Sequence, residues 1–151
     1  DSQIPNAVVY EGIKNKKVNE FLNVCSLRRE VFYGSSRFDL YFETQNDKGF
    51  IEVKGVTLEE DGVVMFPDAP TERGTKHVRE MMKAVQEGYK GYIFFLIQLK
   101  GAKYFTPNEK MDKEFASALK LAAESGVKIL AYDSNVTEDE IVLRNEIDVI
   151  I

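Results

Sequence analysis

The run Tyr92-Ile93-Phe94-Phe95-Leu96-Ile97 constrains the fold more than any other segment of the chain. It is apolar at every position and about the length of one strand, so neither face can be left to water. Such a strand must lie inside a sheet with further layers above and below it. The flanking segments can supply those layers. Thr71 to Glu87 places Val78, Met81, Met82 and Val85 at the i, i+3, i+4, i+7 positions of one helical stripe, with Gly88 as its stop. Asp112 can cap a second helix in which Phe115, Leu119 and Ala122 align; Gly126 ends it, and Val127 to Tyr132 reads as another buried strand. Helix alternating with buried strand predicts a parallel crossover, and the expected class is α/β: a mixed β-sheet flanked by helices.

The remaining segments fit around that centre. Asn6 to Lys17 suits a short helix with Val8, Val9 and Ile13 on one side, and Asn23 to Tyr33 alternates as a strand with Val24, Leu27, Val31 and Tyr33 as its inward positions. A turn around Glu59-Glu60-Asp61-Gly62 makes Val56 to Phe66 a hairpin extension, and Ile141 to Ile151 supplies a short edge strand. Phe105-Thr106-Pro107-Asn108 reads as a loop. Cys25 is the only cysteine, which precludes an internal disulfide or a thiolate metal cluster and suits a reducing cytosol; the residue is expected to be a small buried apolar side chain. No apolar run approaches the roughly 20 residues of a membrane span. The start at Asp1 has neither the basic nor the apolar region of a signal peptide and reads as that of a fragment or processed chain. A formal net charge of −5 argues against tight binding of nucleic acid by the chain as a whole and leaves room for a local basic surface.

Arg37 to Thr44 and Phe50 to Thr57 form a hairpin signal across Gln45-Asn46-Asp47-Lys48-Gly49. Phe38, Leu40 and Phe42 alternate with Asp39, Tyr41 and Glu43, and Ile51 and Val53 alternate with Glu52 and Lys54, so each strand is expected to have one apolar and one polar face. Burying both apolar sets on one side puts Asp39 on the face of Glu52 and Lys54. Two carboxylates packed together repel unless a cation or proton is shared. Mg²⁺ or Mn²⁺ held by Asp39, Glu52 and the Val53 carbonyl would resolve the conflict and leave positions open for a phosphate oxygen and a water, with Lys54 beside that water. The chemistry implied is phosphodiester hydrolysis. The same spacing suits a solvated strand face with an ordinary cross-strand ion pair, and by itself does not separate the two.

The sequence around these residues is more distinctive. Ser36-Arg37-Phe38-Asp39, Ile51 to Leu58, Met65 to Gly74, Lys76-His77, Gly88-Tyr89, Phe105 to Asn108 and the strand ending at Tyr132 together resemble the sugar fermentation stimulation protein family. The resemblance implies a restriction-endonuclease-like domain over residues 1–151, whose motif of Asp followed by Glu-x-Lys falls on Asp39, Glu52 and Lys54. It also implies that the oligonucleotide-binding barrel usual at the family's N-terminus is missing from this chain. The function implied is metal-dependent cleavage of DNA; a DNA-binding regulator that keeps the nuclease scaffold without catalysis, or an enzyme acting on a small phosphoester, are the other readings. DNA is the expected partner and a membrane is not; a homo-oligomer is compatible with the sequence.

Several other residues stand near this chemistry in sequence. Glu11 on the first helix could be a further metal-side carboxylate, or a solvated helical acid. Arg37, Arg73, Lys76, His77 and Arg79 are the expected nucleic-acid contacts, since Arg73, Lys76, Arg79 and Lys83 recur at helical spacing and a helix start can receive phosphate. Glu72, Glu80 and Glu87 interrupt the stripe, which equally suits a solvated face, and His77 equally suits an exposed helical position without a metal role. Asp68 and Glu72 are acids whose distance from the metal the sequence leaves open.

Overall fold

A computed structural model describes residues 3–151. Its centre is a six-stranded mixed sheet in the order β1-β2-β3-β6-β8-β9, built from β1 (Ser26–Tyr33), β2 (Ser36–Glu43), β3 (Lys48–Val56), β6 (Lys90–Ile97), β8 (Lys128–Val136) and β9 (Ile141–Glu146). The first three strands pair antiparallel, β3-β6 and β6-β8 pair parallel, and β9 closes the far edge antiparallel. Each parallel step is made by a helical crossover: α2 (Glu72–Gln86) between β3 and β6, and α3 (Lys113–Glu124) between β6 and β8. A small second sheet takes β4 (Leu58–Glu60) and β5 (Val63–Phe66) from the first crossover and β7 (Tyr104–Pro107) from the second.

Strand β6 behaves as its sequence requires. Ile93, Phe95 and Ile97 face α2 and α3, where they meet Val78, Met81, Ala84, Phe115, Leu119 and Ala122; Phe94 and Leu96 face the other way, toward Val8, Val9 and Ile13 of α1 (Gln3–Lys14). All five of these β6 side chains are fully buried, and burial of each contributes on the order of 2 kcal/mol. The helices end as expected: Thr71 and Asp112 accept from Gly74 and Phe115 as N-caps, and Gly88 and Gly126 follow the helices in the left-handed conformation, both at φ 104°.

Four expectations are corrected. The segment Phe105–Pro107 is not loop but most of β7, which pairs parallel with β5 and buries Phe105 against Phe95 with ring centroids 4.2 Å apart. Cys25 is exposed just ahead of β1, its N–H and Sγ both on the Glu43 carbonyl, so it adds nothing to the core. The first helix begins at Gln3 and ends at Lys14, about a turn earlier than the pattern suggested. Finally, β2 and β3 do not each have one apolar and one polar face: Tyr41 and Phe50 join the cluster beneath α2 while Leu40, Phe42, Ile51 and Val53 join the one beneath α1.

Alternation also breaks inside the first hairpin. Leu27, Leu40 and Phe42 pack on the α1 side, whereas Val31, Tyr33 and Phe38 pack on the opposite side, against Phe50 and its neighbours. Both strands therefore turn over together at Glu30 and Asp39, which face each other without pairing; Glu30 takes φ 54° to do so. Past this point β2 also leaves β3, whose pairing stops at Leu40 and Ile51.

Candidate active site

The parting of β2 and β3 creates the site. Beyond the Leu40–Ile51 pair no ladder bond closes the gap, and side chains take over. The Asp39 carboxylate accepts from the Val53 N–H at 2.7 Å, and the Asp39 N–H points at Glu52 Oε1 at 3.3 Å. Asp39 is completed by Asn6 of α1, whose amide donates to Oδ1 at 3.0 Å. The three residues expected together do meet, but by a different route from the one alternation suggested. Glu52 and Lys54 share the α2 side of β3 with Phe50 and Val56, while Asp39 reaches them from the place where β2 turns over. Nor do they lie at the lateral edge of the sheet, since β2 and β3 are inner strands.

Glu52 is 2% exposed. Its Oε2 lies 2.8 Å from His77 Nδ1 and 3.4 Å from Lys54 Nζ, and Lys54 Nζ is itself 2.8 Å from His77 Nδ1. One ring nitrogen thus meets a carboxylate and an ammonium; it can donate to the first or accept from the second, and the tautomer decides which. Burial works against the Glu52 charge, but the His77 hydrogen bond and the Lys54 charge outweigh it and hold the acid below its ordinary range. Asp39 has weaker support. Burial and then the Glu52 charge push it from 3.8 to about 6, against the opposing pull of the Val53 N–H, Lys54 and Asn6.

These groups stand in a cleft of about 410 Å³ whose walls include Arg37, Glu30, Arg73 and Gln98. Gly55 keeps one wall open, because a Cβ there would stand 2.7 Å from Gln98 Nε2 and 3.0 Å from Pro5. Of the expected nucleic-acid contacts, Arg37, Arg73 and His77 line this cleft. Lys76 and Arg79 instead line a separate groove between α2 and α3 with Glu72, where Arg79 bonds Glu114 at 3.0 Å. His77 is half-buried on Glu52 rather than free on the helix surface. Glu11 is exposed in another groove, beside Glu140; with α1 starting at Gln3, Asn6 occupies the place foreseen for an acid. Five helical positions separate Asn6 from Glu11, which turns Glu11 well away from Asp39. Asn6, Glu30 and Gln98 were missed, and only the helix-start character of Asn6 left any trace in the sequence.

A divalent cation fits the donor set. Among the described residues no three or more His, Cys, Asp or Glu side chains are grouped so as to hold a metal. Two oxygen-donor carboxylates in an open cleft suit an ion that keeps most of its water, as Mg²⁺ does. The raised Asp39 beside Glu52 is the electrostatic conflict that a cation would relieve.

Residues 3–140 match the family model described as sugar fermentation stimulation protein RE domain. A sugar fermentation stimulation protein homolog of Alkaliphilus oremlandii is 54% identical over 153 residues, covering 99% of this chain and 65% of the relative; one of Clostridium botulinum is 53% identical over 150 residues with the same coverage. The solved structure of Pyrococcus furiosus SfsA in complex with Ca²⁺ superposes with a TM-score of 0.92 at 31% identity, over 100% of this chain and 66% of that one. The chain thus spans 65% of the length of these curated relatives. With a family model matching most of its length and relatives more than half identical, the chain belongs to the sugar fermentation stimulation protein family.

Proposed function

We propose that this chain carries the active site of a metal-dependent nuclease that hydrolyses phosphodiester bonds in DNA. The observation that carries the reading is the convergence of Asp39, Glu52 and Lys54 where β2 and β3 part, in a cleft walled by Arg37 and Arg73. Asp39 and Glu52, with the Val53 carbonyl, are the residues proposed to hold Mg²⁺ or Mn²⁺. The Pyrococcus furiosus relative, solved with Ca²⁺, supports a divalent ion here. Such an ion supplies Lewis-acid polarisation of the phosphate and a water made more acidic.

The chain's own groups do the rest. Arg37 and Arg73 can take phosphate oxygens by charge-assisted hydrogen bonds, which fix the backbone without reading sequence. Lys54 is tethered to Glu52 and His77, so its ammonium is held where it can orient the attacking water and offset charge that develops on the phosphate. His77 Nδ1 lies 2.8 Å from both Glu52 and Lys54, so its tautomer decides which of the two it helps to hold.

The test incubates the protein with single- and double-stranded DNA in Mg²⁺, Mn²⁺ or EDTA, beside Glu52→Ala and Lys54→Ala. Cleavage that needs the metal and falls roughly a hundredfold or more in both variants is expected. Binding that persists in EDTA and in both variants, with no cleavage under any condition, would sink the nuclease reading in favour of a non-catalytic DNA-binding regulator of sugar metabolism.

A further inference from the structure

We propose that Phe32 is a base-stacking residue at the mouth of the cleft, so that the site takes nucleic acid with an unpaired base: a single strand or a frayed end. The inference rests on the nuclease reading for its substrate class and on separate observations for the residue. Phe32 is 72% exposed, more than any other large hydrophobic side chain among the described residues. It is the cross-strand partner of Arg37 in the β1–β2 hairpin, and directly opposed residues send their side chains to the same side. Val31, Tyr33 and Phe38 fill the core on the other side of this hairpin, so nothing in the core claims the Phe32 ring.

The turn-over of both strands at Glu30 and Asp39 decides where that ring stands. Had alternation continued unbroken from Leu27 and Leu40, Phe32 and Arg37 would point toward the α2 side. Instead they emerge on the side of Asp39 and its Asn6 partner, where Arg37 and Glu30 line the cleft. An exposed aromatic ring beside an arginine is the pairing that single-strand binders use: the ring stacks a base and the guanidinium takes the neighbouring phosphate. Glu30 on the same rim disfavours a phosphate there and leaves the place to a neutral base. Bases closed in a duplex offer no free face to Phe32.

The test measures binding in EDTA, so that no cleavage is needed. The probes are a thymidine oligonucleotide carrying one fluorescent adenine analogue and a closed duplex of the same length. Phe32→Ala is expected to weaken single-strand binding roughly tenfold and abolish quenching of the analogue, with duplex binding unchanged. Phe32→Tyr restores both, and Arg37→Ala weakens both substrates. Single-strand binding that is unchanged in Phe32→Ala, or lost equally with duplex binding, overturns the proposal, as does a parent protein that does not bind the single strand. A change of oligomeric size in Phe32→Ala with DNA binding intact assigns the ring to a protein contact and also overturns it. Cleavage is read separately: metal-dependent cleavage with an inert Phe32 spoils only this inference, and stacking without cleavage spoils only the nuclease reading.

Discussion

The Asp39 N–H points at Oε1 of Glu52 across 3.3 Å, which fixes a half-buried acid beside a buried one. Burial first, and the Glu52 charge second, push Asp39 from 3.8 to about 6. An acid whose folded value is raised binds more protons native than unfolded between those limits, so ionising it costs stability as pH rises through the window from 3.8 to about 6. The shift corresponds to about 3 kcal/mol at neutral pH. Asp39→Asn, whose amide can still accept from Val53, is expected to raise the urea midpoint of the metal-free protein at pH 7 and to leave it nearly unchanged below the lower limit. Equal effects at both pH values would contradict this assignment.

Glu52 is the smaller of the two influences that raise Asp39, and that ordering can be measured. In Glu52→Gln the carboxyl of Asp39, followed by NMR titration in EDTA, is expected to titrate below about 6 yet above 3.8, because burial remains after the charge is gone. A midpoint still at the parent value would remove the coupling between the two acids. Glu52 itself behaves oppositely: its folded value is lowered, so the stability of its pairing with His77 and Lys54 is present above 4.5 and is lost as pH falls through the folded value.

Much of this site was legible because residue type and order carried it. The apolar run at β6 dictated two covering layers, the stripe of α2 and the cap at Asp112 dictated the crossovers, and the family resemblance of the surrounding segments, more than spacing, singled out Asp39, Glu52 and Lys54. What the sequence hid depends on backbone geometry. Strict alternation cannot announce that β1 and β2 turn over at Glu30 and Asp39, since the break needs one left-handed residue that is not glycine. The role of His77 depends on where α2 lies over β3, and that of Asn6 on α1 starting a turn early. Cys25 and β7 escape a reading of the sequence for a simpler reason: short segments take their burial from neighbours distant in sequence.

At Gly49 a neighbouring backbone leaves no room for a side chain. The glycine sits opposite Lys90 where β3 and β6 begin to pair, and a Cβ there would lie 2.3 Å from the Lys90 carbonyl oxygen. That contact is backbone, so no side chain can swing aside to relieve it. Gly49→Ala is expected to destabilise the protein by roughly 2 kcal/mol, the cost of overpacking, read as a lower urea midpoint. A neutral substitution would mean that this end of the parallel pair opens freely.

Asp112 ties two helices with one carboxylate. Oδ1 accepts the Phe115 N–H at 2.9 Å as the N-cap of α3, and Oδ2 accepts the Thr71 N–H at 2.8 Å at the start of α2. Both main-chain donors hold the acid below its ordinary value, so the stability it contributes is complete above 3.8 and disappears as pH falls through the folded value. Asp112→Ala removes both bonds and is expected to cost about 2 kcal/mol at pH 7. Asp112→Asn keeps one acceptor oxygen, enough for Phe115 but not also for Thr71, and should lose about half of that. Urea unfolding of the three proteins at neutral pH and in strong acid separates the contributions. In acid the protonated Asp112 likewise keeps one acceptor oxygen, so the parent should fall to the level of Asp112→Asn, and a parent that keeps its full margin over Asp112→Asn there would show that the carboxylate charge is not what holds the two helix starts together.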